Sequence, residues 1–303
     1  MRLLTRSDFD GLVCGALLKE LGVIDHWKFV HPKDIQDGLV EVSPDDVLAN
    51  IPYVKGCGLW FDHHTSEHER LGDIQFEGES RLEDSAARVI YEYYGGKSRL
   101  PNMEEMVIAV DKVDAAKLTV DEILHPKDWV LLGYLMDPRT GLGRFRNFRI
   151  SNYDLMAKLI DACREQSIDR ILADPDVAER IVLYKEQNEQ FKEMVLKHTR
   201  TDGNVIISDL RGVETIYTGN RFLVYSLFPE QNISLWIVDG RAKLNVAIAV
   251  GHSVINRTSK TNVGSLLLEY NGGGHRQVGT CQVPYNTSDQ SIAKLVARIK
   301  ADG

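Results

Sequence analysis

Short apolar runs alternate with helical stretches through the first 115 residues, and ionisable residues follow directly on two of those runs. No other feature limits the fold as strongly. Leu3-Leu4-Thr5 reads as a buried strand, and apolar residues at helical spacing from Leu12 to Leu21 predict a helix that Gly22 stops. Trp27–Val30, Asp46–Ile51 and Gly58–Phe61 are further strand candidates. A helix over Ser85–Tyr94 follows, with Asp84 or Ser85 as N-cap and Gly95-Gly96 as terminator, and Pro101 opens another. Strands joined through helices predict an α/β domain with a mostly parallel sheet.

From Tyr153 to about Thr201 the pattern is wholly helical, and the charged stretch from Asp176 to Arg200 reads as an amphipathic spacer. β signals return at Val205–Ile207, Thr215–Tyr217, Phe222–Leu227, Leu235–Val238 and Asn245–Val250. A helix over Asn262–Tyr270, a glycine run, a strand near Cys281–Val283 and a helix from Ser288 complete the chain. The expected organisation is an N-terminal lobe over 1–150, a helical linker over 151–201 and a smaller α/β lobe over 202–303. At about 100–200 residues per domain, 303 residues accommodate two lobes.

Three clusters carry chemistry. Ser7-Asp8-Phe9-Asp10-Gly11 sits between the first strand and the first helix, where open α/β sheets bind ligands. Such a turn either gathers two carboxylates on one ligand or merely caps the helix. Asp62-His63-His64 ends another apolar strand, where consecutive ionisable residues have little packing value. One carboxylate and two imidazoles suit a hard or borderline divalent cation such as Mn²⁺, with Mg²⁺ also open. Gly272-Gly273-Gly274-His275 lets backbone approach a phosphate or nucleotide while His275 supplies a donor. A fourth segment, Asp137–Arg149, packs four arginines and two phenylalanines into thirteen residues. It is either a solvated turn anchored by its phenylalanines or a phosphate clamp using Arg139, Arg144 and Arg146. His68, His125 and His198 read as surface or capping histidines, and Tyr91, Tyr93 and Tyr94 as packing residues.

In this order and at these element boundaries, Asp8-Phe9-Asp10-Gly11, Asp62-His63-His64 and Gly272-Gly273-Gly274-His275 resemble the signature of the DHH/DHHA1 phosphoesterase superfamily. Its members include RecJ-type single-strand exonucleases, nanoRNases, cyclic-dinucleotide phosphodiesterases and exopolyphosphatase-like proteins. The resemblance covers nearly the whole chain and implies a DHH catalytic domain over 1–150 and a DHHA1-type substrate-binding domain over 202–303, with a two-Mn²⁺ site between them. It implies Asp8, Asp10, Asp62, His63 and a later aspartate as ligands; Asp111, within Ile108–Asp114, best matches that later position. His64 would stand near the scissile phosphate as an orienting group or proton donor. Gly272, Gly273, Gly274 and His275, with Ser253 and Arg257, would hold the nucleotide or phosphate end of the substrate.

The sequence departs from the family pattern twice. The position ahead of the first aspartate pair is Arg6 (or Leu4), and neither ligates metal. The aspartate that should end the preceding strand is Asn50, a neutral and weaker ligand. Arg6 is a permanent cation that, beside Asp8, would stand in for one ion. Alternatively His31, Asp34 or Asp37 would supply the missing ligands. A two-ion site, a one-ion site and a binding lobe without turnover are the alternatives.

The balance of 36 basic and 44 acidic residues disfavours a grip on long duplex DNA, which calls for a basic face. No apolar run reaches the roughly 20 residues that span a bilayer, and the first residues lack the apolar centre of a signal peptide. Four separated cysteines without a Cys-x-x-Cys pair read as reduced thiols, which with the foregoing predicts a cytoplasmic protein. The expectation is a Mn²⁺-dependent phosphohydrolase that uses metal-activated water on a small polyanion: a short oligoribonucleotide, a nucleotide or polyphosphate. The alternative is a nucleotide- or metal-binding sensor with a degenerate site. A processive exonuclease is disfavoured, since no basic oligonucleotide-binding domain is added. Oligomeric state is open, a homodimer included.

Overall fold

A computed structural model describes residues 1–64, 67, 70–72 and 74–303. His68 lies outside the described residues. They form two compact units, Met1–Lys117 with His125–Tyr184, and Leu118–Leu124 with Lys185–Gly303.

The first unit holds a five-stranded parallel sheet of β1 (Arg2–Arg6), β2 (His26–Val30), β3 (Asp46–Ala49), β4 (Leu59–Asp62) and β5 (Gly78–Ser80), in the order β2-β1-β3-β4-β5. β1 is an interior strand, paired with β2 and β3, so Leu3 and Leu4, which point to opposite faces, are both fully buried. Helix α1 (Phe9–Glu20) is buried from Phe9 to Leu18. It packs against α2 (Ala86–Tyr93), α3 (Glu104–Asp114), α4 (Asp128–Met136) and α5 (Asn152–Glu165). Gly15 permits the close approach to α5, since a Cβ there would meet Ile160 Cδ1 at 2.9 Å. The chain leaves α1 through Gly22 at φ +70°. Ser85 caps α2, its Oγ accepting from the Arg88 N–H at 3.0 Å. The helix expected from Pro101 starts three residues later, at Glu104.

The segment expected as a linker is divided between the units. Residues 152–184 belong to the first, and α6 (Pro175–His198) crosses the boundary at Tyr184. The second unit holds a six-stranded sheet of β6 (Thr199–Asp202), β7 (Val205–Asp209), β8 (Ile233–Asp239), β9 (Asn245–His252), β10 (Gly273–Gly274) and β11 (Val278–Pro284), in the order β10-β11-β9-β8-β7-β6. Its pairs are antiparallel except β7 with β8. Alternate residues Val246, Ile248 and Val250 of β9 join Leu266, Leu267, Ile292, Leu295 and Ile299 in the core. Two strand expectations fail here. Thr215–Tyr217 is irregular, and Phe222–Leu227 contains a helix, α7 (Leu223–Leu227). Asn220 Oδ1 accepts from the Phe222 N–H at 3.0 Å and starts that turn. A short apolar run has too little periodicity to separate strand from helix.

The four cysteines are free thiols, with Cys14, Cys163 and Cys281 buried and Cys57 half-buried. Among the described residues no helix is long and apolar enough to cross a membrane.

Candidate functional site

The site grows out of the carboxyl ends of β1 and β4. Asp8 follows β1 and caps α1, its Oδ1 accepting from the Gly11 N–H at 2.9 Å. A side chain at Gly11 would place Cβ 2.0 Å from the Arg6 carbonyl oxygen, so the tight turn requires glycine. Asp10, 2% exposed, turns its carboxylate to the start of α2. Its Oδ2 accepts from the Ala86 N–H at 2.9 Å and its Oδ1 from the Ala87 N–H at 2.8 Å. The amino end of a helix steadies the buried anion. Asp8 therefore caps the helix and also lines the cleft that holds Asp10 and Asp114.

β4 ends on Asp62, which is fully buried and serves His64. Asp62 Oδ1 lies 2.9 Å from His64 Nδ1, and Oδ2 accepts from the His64 N–H at 3.3 Å. The neighbouring His63 ring turns the other way. Its Nδ1 lies 3.2 Å from the Glu83 carbonyl oxygen, which can only accept, so Nδ1 carries a proton. That leaves Nε2 3.7 Å from Asp10 Oδ2 and 3.3 Å from Asp114 Oδ2. His63 is nine-tenths buried, and its Nε2 has no hydrogen-bond partner. Ligand atoms of Asp10, His63 and Asp114 all lie within 4.8 Å of one another.

Burial pushes the Asp10 carboxyl above its ordinary pKa, and the charge of Asp114 pushes it further. Burial likewise raises Asp8, while Arg6 pulls it down. For His64 burial alone would lower the pKa; the hydrogen bond and charge of Asp62, with Asp114 and Asp10 beyond, outweigh it and push it up to about 9. A buried ring nitrogen with no hydrogen-bond partner beside two crowded carboxylates marks a place for a cation. The donor set of two carboxylates and one imidazole, its ring fixed by a carbonyl, fits a divalent ion.

Arg6 Nε lies 3.0 Å from Asp8 Oδ2. Arg139 lines the same cleft as Asp8, Asp10 and Asp114, with its Nε and backbone N–H both donating to Asp137 Oδ1 at 2.7 and 2.8 Å. Asn50 reaches the site as a donor: at φ 55° beyond β3, its Nδ2 gives a hydrogen bond to Asp8 Oδ1 at 3.1 Å.

Asp111 is not where the sequence placed it. Its Oδ1 accepts from Ser85 Oγ at 2.7 Å, and its Oδ2 from Arg88 Nε and Nη2 at 2.9 and 2.5 Å. The later aspartate beside Asp10 and His63 is Asp114, one helical turn on. A helix offers both positions from one stretch of sequence, and the partner Arg88 that claims Asp111 carries no local signal. His31 and Asp37 also stay with their own turn. His31 Nδ1 accepts from the Lys33 N–H at 3.1 Å, and Asp37 pairs with Lys33.

The rest of the arginine-rich segment is partly anchored. Arg144 and Arg146 are exposed, and Arg144 Nε donates to the Gly141 carbonyl at 3.2 Å. Phe148 lies under the guanidinium of the fully buried Arg180, 4.0 Å away, and Arg149 Nε is 3.2 Å from Asp176 Oδ1.

In the second unit Ser253 Oγ accepts from the N–H groups of Ile255 and Asn256 at 3.2 and 3.0 Å, and Arg257 Nε donates to the Val254 carbonyl at 3.0 Å. Gly273 and Gly274 pair with β11. A Cβ on Gly272 would lie 2.4 Å from the Thr280 carbonyl oxygen, and one on Gly274, at φ +155°, 2.3 Å from Gly279 Cα. Those two glycines have a packing reason, whereas Gly273 faces open space. His275 follows β10 and is exposed.

The sequence matches no family model and no curated protein. Among solved structures, a pGpG-specific phosphodiesterase, PggH, from Vibrio cholerae is 48% identical, with a TM-score of 0.88 over 100% of this chain and 99% of that one. An exopolyphosphatase-related protein from Bacteroides fragilis shares the fold at 13% identity and a TM-score of 0.51, over 99% of this chain and 91% of the other. RecJ from Thermus thermophilus, solved in complex with Mn²⁺, does so at 14% identity and 0.51, over 99% of this chain and 51% of the other.

Proposed function

The chain belongs to the DHH/DHHA1 phosphoesterase superfamily, and on that premise we propose that it is a metal-dependent phosphodiesterase acting on short linear dinucleotides of the pGpG kind. The observation that carries the reading is the convergence of Asp10, His63 and Asp114, in a chain 48% identical from end to end to a pGpG-specific phosphodiesterase. Hydrolysis adds one water across the internal phosphodiester, so pGpG yields two molecules of GMP.

Asp10, His63 and Asp114 would hold the divalent ion, Mn²⁺ before Mg²⁺ given the imidazole ligand. When bound, such an ion polarises phosphate oxygen and lowers the pKa of water. The chain's own residues supply the rest. The amides of Ala86 and Ala87 hold Asp10 in place, and the Glu83 carbonyl fixes the His63 ring. Arg6 and Arg139 bring positive charge to the same cleft, where it offsets charge building on the phosphate oxygens. His64 donates its Nδ1–H as a hydrogen bond to Asp62, so protonated His64 keeps a second proton at Nε2 for the leaving oxygen. In the second unit, exposed His275 and Arg257 are the groups for the nucleotide end, and the backbone at Gly273, two residues before His275, is open.

The test compares pGpG, a short RNA and polyphosphate as substrates of the full chain with Mn²⁺, Mg²⁺ or chelator. Conversion of pGpG to GMP with Mn²⁺, abolished by chelator and by Asp114→Asn, is the expected result. Tight pGpG binding without turnover under every metal condition would instead make the protein a sensor.

A further inference from the structure

We infer that Arg6 takes the place of a second metal ion, so that the site holds one divalent cation per chain, on Asp10, His63 and Asp114. The inference rests on the metal-dependent reading above and specifies its ion count.

The two halves of the site differ in what their donors already do. Around His63 Nε2 a partner is missing: the nitrogen is buried, unbonded, and faces Asp10 and Asp114 at 3.7 and 3.3 Å. Two carboxylates and a neutral imidazole leave a charge of −2 for one divalent ion. Around Asp8 nothing is missing. Its Oδ2 lies 3.0 Å from Arg6 Nε, and its Oδ1 accepts from the Gly11 N–H at 2.9 Å and Asn50 Nδ2 at 3.1 Å. Asp62, the remaining carboxylate, gives both oxygens to His64.

Charge makes the difference decisive. The Arg6 guanidinium stays protonated at any working pH, so a second ion near Asp8 would have to displace it or lie against it. Asn50 adds no negative charge in compensation, and Arg139 adds another cation to the cleft wall. Arg6 delivers one charge through a fixed contact, where an exchangeable ion would deliver two.

Metal-free full-length protein titrated with Mn²⁺ gives the count by calorimetry and by elemental analysis after dialysis. One ion per chain is expected, with the six-line low-temperature EPR spectrum of isolated Mn²⁺. The double variant Arg6→His, Asn50→Asp should bind two ions and show exchange coupling, because paired ions in such sites lie about 3.5–4 Å apart. Two coupled ions in the wild type overturn the inference while leaving the phosphodiesterase reading intact. No ion bound in the wild type overturns both. A double variant that folds, by circular dichroism, yet still binds one ion also overturns it, since Arg6 and Asn50 would then not set the count; if it does not fold, the wild-type count and spectrum decide.

Discussion

Asp114 Oδ2 lies 3.3 Å from the buried Nε2 of His63, while Asp111, one turn earlier on the same helix, is clasped by Arg88. The pair separates binding from stability. Asp114→Asn should lower kcat/KM for pGpG by at least about a hundredfold and abolish tight Mn²⁺ uptake, with little change in urea midpoint. Asp111→Asn should leave ion uptake intact and cost about 2 kcal/mol in urea denaturation, because Arg88 loses its half-buried partner. Metal content of the two variants, measured side by side, checks the assignment.

The arginines of the 137–149 segment should divide in the same way. Arg139 shares a cleft with Asp8, Asp10 and Asp114, so Arg139→Ala should reduce kcat/KM by about a hundredfold. Arg144→Ala and Arg146→Ala should stay within about threefold of wild type. A large rise in KM for either would return it to the substrate path.

The glycine run can be tested residue by residue. Gly272→Ala should cost about 2–3 kcal/mol, because its Cβ would collide with the Thr280 carbonyl. Gly273→Ala, with nothing near its Cβ, should remain within about 1 kcal/mol of wild type. If Gly273→Ala keeps its stability but raises KM for pGpG, that backbone approaches the ligand; unchanged KM would leave the run a packing device.

Acid sensitivity has a source away from the site. Asp46, 1% exposed, accepts from Arg2 Nε and Nη2 at 2.7 and 2.9 Å and from the Ser43 N–H and Oγ at 2.7 and 3.1 Å. Burial pushes its pKa up, but these bonds outweigh burial and hold it below the ordinary value. A depressed carboxylate stabilises the fold above its unfolded pKa of about 3.9, and that contribution fades as pH falls through the folded value. Asp46→Asn should cost about 2 kcal/mol at pH 7 and flatten the loss of stability below about pH 4. Urea midpoints across pH 3 to 7 measure both; a variant as acid-sensitive as wild type would assign the effect elsewhere.

Much of this was legible in the sequence because strand ends and helix starts are local. Leu3-Leu4 followed by Asp8-Phe9-Asp10-Gly11 specifies both a buried interior strand and the residues that leave it, and the glycine proves to be required by contact with Arg6. Asp62-His63-His64 stands out in the sequence as ionisable residues following an apolar run, and in the structure Asp62 closes β4 while His63 and His64 lie just beyond it. What the sequence could not reveal is which distant group claims each carboxylate. Arg88 takes Asp111, His64 takes Asp62, and α2 takes Asp10. α7 was hidden for another reason: the six residues of Phe222–Leu227, aliphatic and aromatic apart from Ser226, satisfy either period.

Asp10 and the first turn of α2 are joined by two amide protons, from Ala86 and Ala87, across 76 and 77 residues of sequence. A cation that draws electron density from that carboxylate weakens both of these hydrogen bonds. The amide resonances of Ala86 and Ala87 in ¹⁵N-enriched protein thus form an internal gauge of occupancy, shifted by Mg²⁺ and broadened away by paramagnetic Mn²⁺, readable without substrate or turnover.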